Sequence, residues 1–453
     1  MTGKGRFNPQ LRAPATPDTA SFAAILQSLL PGSGQGAHPV PEPLAELAYP
    51  EELRLKQLAI ERFWKQSGVP GSPGRIVPSP LARAYRSTSK RRAACVSGRF
   101  YLLHAGERIP RRRPADRGLS RPGTPGRTDG EGLVSLSRLE PETHQHLFRL
   151  VHRRLSRRED APLAEGLNWV VVRDGEPGCA LILNVYRLDR DVVRKAKQLT
   201  EWLLSQAAAP ASVFLFHDPS RSEYYLEAGR EDAAAGPAAT WQDGLRCLAG
   251  PRELSHEIDG FSLRFSPLVF SQINRSMLPE MLHQARELLE LDGGPAPEIH
   301  LLDLYCGYGL FSFCAGARCG SVTGLELAGP AIAAARQNFA RLSAKRPGEL
   351  PSMRFLDGRI TPTLVARGFE RLAGRRTLVI LDPPRQGTEP GVVAALGRFR
   401  PEAVLHVCCG TDGIPDEARR WREAGYEVEK TVVLDLFPGT ANLETLLLLR
   451  PRR

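Results

Sequence analysis

Thiol and carboxyl side chains near the C-terminus could together perform nucleophilic and acid–base chemistry. The apolar run AVLHV is followed directly by Cys408, Cys409 and Gly410, and a thiol at a strand end can act as a nucleophile when its pKa is lowered. Glu444 follows the segment FPGTAN and begins a second apolar run, ETLLLLR, at the same edge of the predicted sheet. A carboxylate there can accept a proton from a bound substrate. We therefore treat the cysteine pair and Glu444 as candidate catalytic residues.

If a methyl donor binds nearby, a cysteine and a carboxylate meet the needs of methylation at carbon 5 of a pyrimidine. Carbon 5 is not nucleophilic by itself, but a thiolate adding at carbon 6 makes it enolate-like. It can then attack a sulfonium methyl group, after which a base removes the carbon 5 proton and the thiol is eliminated. The cysteine would perform the first task and Glu444 the last.

A candidate cofactor site lies earlier in the chain. The strand-like run IHLLDL is followed by Tyr305, Cys306, Gly307, Tyr308 and Gly309, in which the glycines permit a tight turn and close approach of a ligand. A second strand-like run ends at Glu326, and an acidic side chain there can bind both hydroxyls of a ribose.

The ligand predicted for this site carries an adenosine without phosphates. Phe311 and Ser312 stand where a dinucleotide pyrophosphate would need small residues, which favours S-adenosylmethionine over a nicotinamide cofactor. Asp357 ends a third strand, where it would face the adenine edge unless it is simply solvated. Asp382 ends a fourth strand and opens DPPRQG, whose prolines shape the rim of a pocket.

The elements that position these residues alternate as strand, helix, strand from about residue 262 onward. Such alternation predicts an α/β fold, a doubly wound and mostly parallel sheet in which ligands bind at the carboxyl ends of the strands. The last two strands lack a helix between them, so they should form a hairpin with one antiparallel strand. The runs NWVVVRD, CALILNVY, SVFLFHD and YYLEAG, with an amphipathic stretch at 190–206, predict an α+β domain before this sheet.

The chain of 453 residues is long enough for two or three domains, and its positive charge is unevenly distributed. Residues 1–130 hold 21 Lys and Arg against 9 Asp and Glu, whereas the remainder is balanced at 40 against 41. We predict a flexible Pro-, Gly- and Ala-rich arm at 1–47, interrupted by the apolar patch at 22–30. A basic helix and loop with a central α+β RNA-binding domain are expected at 48–258, and a catalytic domain at 259–453.

The basic N-terminal third predicts contact with a polyanion such as RNA. Candidate contacts are Arg86, Lys90, Arg91 and Arg92, followed by the Pro- and Gly-rich basic stretch at 108–127, which is predicted to be a flexible loop. A solvated charged surface would have the same composition. With no apolar run of 18 residues and no pair of cysteines in a CxxC spacing, the chain is expected to be cytoplasmic, with neither a membrane segment nor a metal or iron–sulfur cluster.

The ordered set FSQIN, DLYCGYG, GLEL, DPPRQG, VCC and DLFPGTANLE resembles the RNA uracil-5-methyltransferases, which form 5-methyluridine in tRNA and ribosomal RNA. The resemblance is strong over 262–453 and weaker over 49–250. It implies a Rossmann-like class I methyltransferase domain that uses S-adenosylmethionine and acts on RNA, as a monomer. Four departures from the family pattern predict a divergent member: Gly410-Thr411, Leu310, the missing N-terminal β-barrel module and the missing iron–sulfur cysteines.

The resemblance also implies roles for individual residues. Cys409, which follows the small-residue position taken by Cys408, matches the nucleophile, and Glu444 matches the base. Donor-binding residues implied by the motifs are Gln272, Tyr305, Glu326 and Asp382. Arg385 of DPPRQG either contacts RNA or braces its loop.

Two other functions remain open at the level of sequence. The altered VCCGT segment and Leu310 also fit a catalytically silent RNA-binding or assembly protein. DPPR further resembles the DPPY loops of amino-group methyltransferases, whose chemistry needs neither Cys409 nor Glu444. Substitution of the cysteine separates these possibilities from carbon 5 methylation.

Overall fold

The computed structural model describes residues 20–30, 42–107, 109, 127–128, 133–222, 244–369, 372 and 375–452. The predicted basic loop at 108–127 and the predicted strand YYLEAG therefore lie almost entirely outside the described residues. None of the helices in the described ranges is both long enough and apolar enough to cross a bilayer.

The helices are α1 (Phe22–Ser28), α2 (Tyr49–Ser67), α3 (Glu142–Leu155), α4 (Ala161–Gly166), α5 (Arg190–Leu204), α6 (Leu278–Leu288), α7 (Leu310–Cys314), α8 (Gly329–Lys345), α9 (Pro362–Phe369), α10 (Val392–Phe399) and α11 (Ile414–Glu423). The strands of the N-terminal half are β1 (Thr88–Val96), β2 (Arg99–Leu103), β3 (Arg127–Thr128), β4 (Ser135–Leu136), β5 (Leu167–Arg173), β6 (Ala180–Val185), β7 (Ser212–His217), β8 (Leu245–Ala249), β9 (Leu254–Ile258) and β10 (Phe261–Phe265). Those of the C-terminal half are β11 (Ala296–Leu304), β12 (Cys319–Glu326), β13 (Ser352–Asp357), β14 (Arg376–Leu381), β15 (Ala403–Cys408), β16 (Tyr426–Leu434) and β17 (Glu444–Pro451).

The C-terminal sheet has seven strands in the order β13-β12-β11-β14-β15-β17-β16. The first five are parallel, whereas β17 is antiparallel to both of its neighbours. Leu301 of β11 packs in one apolar cluster with α6, α7 and α8, and Leu302 packs in another with α9, α10 and α11. Alternate residues of a strand point to opposite faces, so both faces are covered by helices. The predicted doubly wound sheet with one antiparallel strand is confirmed.

The preceding sheet has the order β2-β1-β5-β6-β7-β8 and is antiparallel except for the β6–β7 pair, which α5 connects. Val170 and Val172 of β5 belong to the apolar cluster beneath α3, α4 and α5. Trp169 and Val171 of the same strand belong to the cluster that includes β11 and α6 to α8. One face of the central sheet thus shares a core with the C-terminal sheet.

Helix α2 packs on the C-terminal sheet, although the sequence assigns it to a central domain at 48–258. Its Phe63 lies in an apolar cluster with Val433 of β16 and Leu447 of β17. Its buried Lys56 Nζ lies 2.7 Å from Oδ1 of Asp435, which directly follows β16. A boundary at 258/259 therefore does not separate α2 from the C-terminal sheet. The periodicity of an amphipathic helix indicates that it has an apolar face but not which sheet covers that face.

The prediction of a flexible arm over 1–47 is wrong for residues 20–30 and 42–47. Phe22, Ile25 and Leu26 of α1 are buried, and the Leu44 N–H donates a 3.1 Å hydrogen bond to the Gly439 carbonyl. The apolar patch at 22–30 packs against α2 and the C-terminal sheet. Burial of its side chains offsets the conformational entropy lost when this segment is ordered.

Candidate active site

The carboxyl edge of the C-terminal sheet brings three titratable side chains together. Asp382 follows β14, Cys409 follows β15, and Glu444 begins β17, which is antiparallel and therefore starts at this edge. Cys409 Sγ and one carboxylate oxygen each of Asp382 and Glu444 all lie within 4.8 Å of one another. Cys409 Sγ lies 3.6 Å from Asp382 Oδ1. Both residues that were predicted to be catalytic, Cys409 and Glu444, are in this cluster.

The surroundings of this cluster favour its neutral forms. Burial, together with the charge of Asp382, raises the pKa of the Glu444 carboxyl to about 8. Burial raises the pKa of Asp382 to about 7. Burial and then the two carboxylates raise the pKa of the Cys409 thiol, whereas the sequence argument calls for a lowered one. The reason is that the fold places the thiol between two carboxyl groups rather than beside a cation.

Glu444 is fully buried, and neither of its carboxylate oxygens has a hydrogen-bond partner among the described residues. An unpaired buried carboxyl is costly, so such groups concentrate where a substrate supplies the missing partner. Arg385 is exposed on the loop that follows Asp382, and its charge acts to lower the pKa of Glu444. The arginine is therefore near enough to Glu444 for its charge to act on that carboxyl group.

Gln272 joins the cluster from the segment between β10 and α6. Its Nε2 donates a 3.4 Å hydrogen bond to Asp382 Oδ2. Buried Arg173, from the end of β5, donates to the carbonyls of Pro267 and Val269 and to Ser271 Oγ. The central sheet thereby holds the segment that carries Gln272. Sequence reasoning missed Arg173, because an arginine at the end of a strand carries no local signal of its distant partner.

The predicted donor loop forms the neighbouring part of the same edge. Glu326 accepts hydrogen bonds from the backbone N–H groups of Gly307, at 3.0 Å, and Ala328, at 2.7 Å. A Cβ built on Gly307 would meet nothing within 4 Å, so open space lies in front of this glycine. At Gly309, with φ of 96°, a Cβ would lie 2.6 Å from the Phe313 ring, so packing requires glycine.

This arrangement fits an adenosine ligand. The carboxylate of Glu326 keeps lone pairs for ribose hydroxyls beyond the two backbone bonds that orient it. Tyr305 adopts φ of 63°, which is uncommon for a residue other than glycine, and its hydroxyl accepts a 3.5 Å bond from the Glu389 N–H. A left-handed backbone is strained in residues other than glycine and persists only where the surrounding structure supports it. Such residues are often found at ligand sites.

Asp303 is a further buried acid at this site, and sequence reasoning did not single it out. It lies in β11 beneath the donor loop, and Ser312 Oγ donates a 2.6 Å hydrogen bond to its Oδ2. Burial raises the pKa of Asp303 to about 7. Its position within the DLYCGYG motif was the available signal.

Asp357, predicted to face the adenine edge, lies at the carboxyl end of its strand. It ends β13 beside Glu326, but it is exposed and its Oδ1 lies 2.9 Å from Arg336 Nη2 of α8.

Among the predicted RNA contacts, the assignment of Arg91 is wrong. It lies in β1 with its side chain fully buried, where it forms an ion pair of 2.5 Å with Glu140 and packs over the Phe148 ring. Strand alternation turns Lys90 and Arg92 to the other face, where each lies over the Trp169 ring.

Arg86 is also engaged within the protein. Its Nη1 lies 3.2 Å from Glu42 Oε1, and only about a fifth of its side chain is exposed, at 22%. Four of the five predicted RNA contacts therefore interact with other side chains of the protein. The fifth, Arg385, has an exposed side chain.

The sheet order and the strand-end site together define a class I methyltransferase domain. Residues 253–452 match the family model described as tRNA (Uracil-5-)-methyltransferase. The matched segment contains Gln272, Asp382, Cys409 and Glu444. Over this segment the chain is similar to the RNA uracil-5-methyltransferases.

Curated relatives match the same part of the chain. A "23S rRNA (uracil(1939)-C(5))-methyltransferase RlmD" of Klebsiella pneumoniae subsp. pneumoniae is 30% identical over 194 residues, which cover 43% of this chain and 42% of that protein. The protein of the same description from Pectobacterium carotovorum is 30% identical over 206 residues, covering 46% and 43%. The matches thus span less than half the length of these relatives.

A solved structure resembles most of the chain. The Pyrococcus abyssi tRNA (uracil-54, C5)-methyltransferase, described in complex with S-adenosyl-L-homocysteine, superimposes with a TM-score of 0.61 and 17% identity. The superposition covers 90% of this chain and 84% of that one. At this identity the likeness establishes a shared fold.

Proposed function

We propose that this protein transfers a methyl group from S-adenosylmethionine to carbon 5 of a uridine in tRNA or ribosomal RNA. The observation that carries the proposal is the grouping of Cys409, Asp382 and Glu444 within 4.8 Å at the carboxyl edge of the sheet. An amino-group methyltransferase would need neither the thiol nor the second carboxyl group. The names of the family and of the curated relatives support the same reaction.

Cys409 would act as the nucleophile. Its Sγ adds to carbon 6 of the uracil ring, and the electron pair displaced from the 5,6 double bond makes carbon 5 nucleophilic. The raised pKa of the thiol means that the free protein holds it protonated. The Asp382 carboxylate, 3.6 Å from Sγ, can accept that proton when the base enters, so that the thiolate forms only in the presence of its target and Glu444 is left to act on carbon 5.

Glu444 would remove the carbon 5 proton after methylation, which re-forms the double bond and expels Cys409 from carbon 6. A pKa raised to about 8 makes Glu444 a stronger base than an ordinary carboxylate once it is ionised. The side-chain amide of Gln272 donates a hydrogen bond to Asp382, and from this position it can also donate to the uracil edge.

Glu326, Gly307, Tyr305 and Asp382 would hold the donor, which supplies an electrophilic methyl group when it is bound. Glu326 would accept hydrogen bonds from the ribose hydroxyls, and the open space in front of Gly307 would admit the nucleoside. The carboxyl group of Asp382 would lie between the donor and the thiol and favour a cationic ligand.

RNA would approach the mouth of the cluster beside the exposed Arg385. A base must leave its stack to reach Cys409, which favours an unpaired region of RNA as substrate. We expect Arg385→Ala to weaken RNA binding and to reduce the salt slope by about one. Arg398→Ala is the matched control, since Arg398 lies near the end of α10 that is directed toward the opposite edge of the sheet.

The test is nucleoside mass spectrometry on unmodified tRNA and ribosomal RNA after incubation with the protein and isotopically labelled S-adenosylmethionine. We expect labelled 5-methyluridine with the wild type and none with Cys409→Ala. Cys408→Ala is the matched control, because Cys408 is buried in an apolar cluster and should tolerate alanine. Glu444→Gln should accumulate a covalent protein–RNA adduct that denaturing electrophoresis detects.

Other outcomes would select another function. Label on an exocyclic amine, with full activity of Cys409→Ala, would identify an amino-group methyltransferase and refute the roles assigned to Cys409 and Glu444. Binding of donor and RNA without any label would identify a catalytically silent RNA-binding protein.

A further inference from the structure

Helix α1 begins against the loop that carries Cys409. The backbone N–H of Phe22 donates a 2.7 Å hydrogen bond to Oδ1 of Asp412, three residues after Cys409. Ser21 Oγ accepts a hydrogen bond from the Ala24 N–H and caps the helix beside this contact. The first turn of α1 is therefore attached to residues 409–413.

The apolar face of α1 extends this contact. Phe22, Ile25 and Leu26 are buried in a cluster that also contains Cys408 and Ile414, the residues directly before and after 409–413. Both ends of the loop are thus packed in the same apolar unit as α1.

Within residues 409–413 the regular structure is a single turn of 3-10 helix at Thr411–Gly413. Two of these five residues are glycines, and a Cβ at Gly410 or Gly413 would meet nothing within 4 Å. The Gly413 N–H donates a 3.1 Å hydrogen bond to the Gly410 carbonyl within the loop. Since glycine loses more conformational freedom on ordering than any other residue, the position of Cys409 depends on contacts from outside the loop.

We propose that α1 is a positioning element for the nucleophile: its docking on Asp412 and on the apolar cluster holds residues 409–413 so that Cys409 Sγ faces Asp382 and Glu444. This inference rests on the proposed function, because it assigns α1 a part in the same reaction. The N-terminal segment thereby contributes to the active site without contacting substrate.

Undocking of α1 should move two rates in opposite directions. Methylation should slow, because a displacement of about 1 Å at a reacting atom can cost up to about 100-fold in rate. Alkylation of Cys409 by iodoacetamide should become faster, because the thiol leaves its half-buried site between the two carboxyl groups and its pKa falls toward the ordinary range. A general loss of folded protein would not spare RNA affinity while producing this pair of changes.

Asp412→Ala removes the side-chain acceptor of the Phe22 N–H at an exposed position, and Asp412→Asn retains a carbonyl acceptor. Asp416→Ala is the matched control, because Asp416 lies nearby in α11 but forms an exposed ion pair with Arg419. Phe22→Asp undocks the whole helix. For each full-length variant, kcat, the KM for RNA and the alkylation rate of Cys409, followed by peptide mass spectrometry, are measured.

We expect kcat to fall about tenfold or more in Asp412→Ala and Phe22→Asp, with the KM for RNA within about twofold of wild type. Alkylation of Cys409 should rise at least about threefold in both, whereas Asp412→Asn and Asp416→Ala behave as wild type. Unchanged methylation and alkylation in both undocking variants would overturn the proposal. If no protein methylates RNA but alkylation still rises in the undocking variants, the proposed function fails while the positioning role stands.

Discussion

The buried carboxyl group of Glu444 should make the folded protein less stable at high pH. Burial and the charge of Asp382 raise its pKa from 4.5 to about 8. Between these values the folded protein keeps a proton on Glu444 that the unfolded chain has released. The stability from this group is therefore fully present below 4.5 and is lost as the pH rises through about 8. Glu444→Gln removes the titration while it preserves the shape of the side chain.

The size of the effect follows from the two pKa values. Each pH unit between them corresponds to about 1.4 kcal/mol, so the whole interval sets an upper limit of about 5 kcal/mol. Part of the Glu444 shift comes from the charge of Asp382, whose own pKa is raised to about 7, so this part is smaller wherever Asp382 is protonated. We therefore expect Glu444→Gln to gain about 2 to 5 kcal/mol over wild type between about pH 6 and about pH 9.

Urea unfolding followed by tryptophan fluorescence measures this difference, since Trp421 is buried in α11 beside the C-terminal sheet. Glu427→Gln is the matched control, because Glu427 is an exposed glutamate of the same hairpin. We expect Glu427→Gln to follow the wild-type pH dependence. If Glu444→Gln also follows it, Glu444 is ionised at neutral pH and the reasoning is refuted.

Three further predictions concern residues whose partners the structure defines. Lys56→Ala leaves buried Asp435 without its cation, so the free energy of unfolding should fall by about 3 to 5 kcal/mol in urea titrations. Arg91→Ala should destabilise the protein to a similar degree because Glu140 stays buried, while the salt slope of RNA binding measured by filter retention stays unchanged. Asp357→Asn should alter the affinity for S-adenosylhomocysteine, measured by calorimetry, by less than about twofold, since this carboxylate is exposed. An unchanged urea midpoint for Lys56→Ala, a reduced salt slope for Arg91→Ala or a large loss of donor affinity for Asp357→Asn would contradict the corresponding prediction.

The C-terminal sheet and its reactive edge could be predicted from the sequence because both follow from local rules. Apolar runs alternating with amphipathic segments specify a doubly wound sheet, and residues directly after parallel strands must meet at one edge. That rule alone brings Asp382 and Cys409 together. Glu444 joins them because a strand without an intervening helix returns antiparallel and therefore begins at the same edge.

The basic residues of β1 show where local reasoning stops. Lys90, Arg91 and Arg92 form one charged run in the sequence, yet the strand turns Arg91 inward onto Glu140 and its neighbours to the other face over Trp169. Which member of an alternating run faces inward depends on a carboxylate 49 residues away. Composition could indicate positive charge but not its availability to RNA.

What the sequence by itself determined was the succession of strands and helices, the identity of the residues at the strand ends and the chemistry those residue types permit. Only the tertiary structure decided that α1 and α2 pack on the C-terminal sheet, that Arg173 holds the segment carrying Gln272, and that Cys409 lies between two carboxyl groups. The physical reason is that periodicity and turn chemistry act over a few neighbouring residues. Burial, ion pairing and pKa depend on side chains that the fold brings together from hundreds of residues apart.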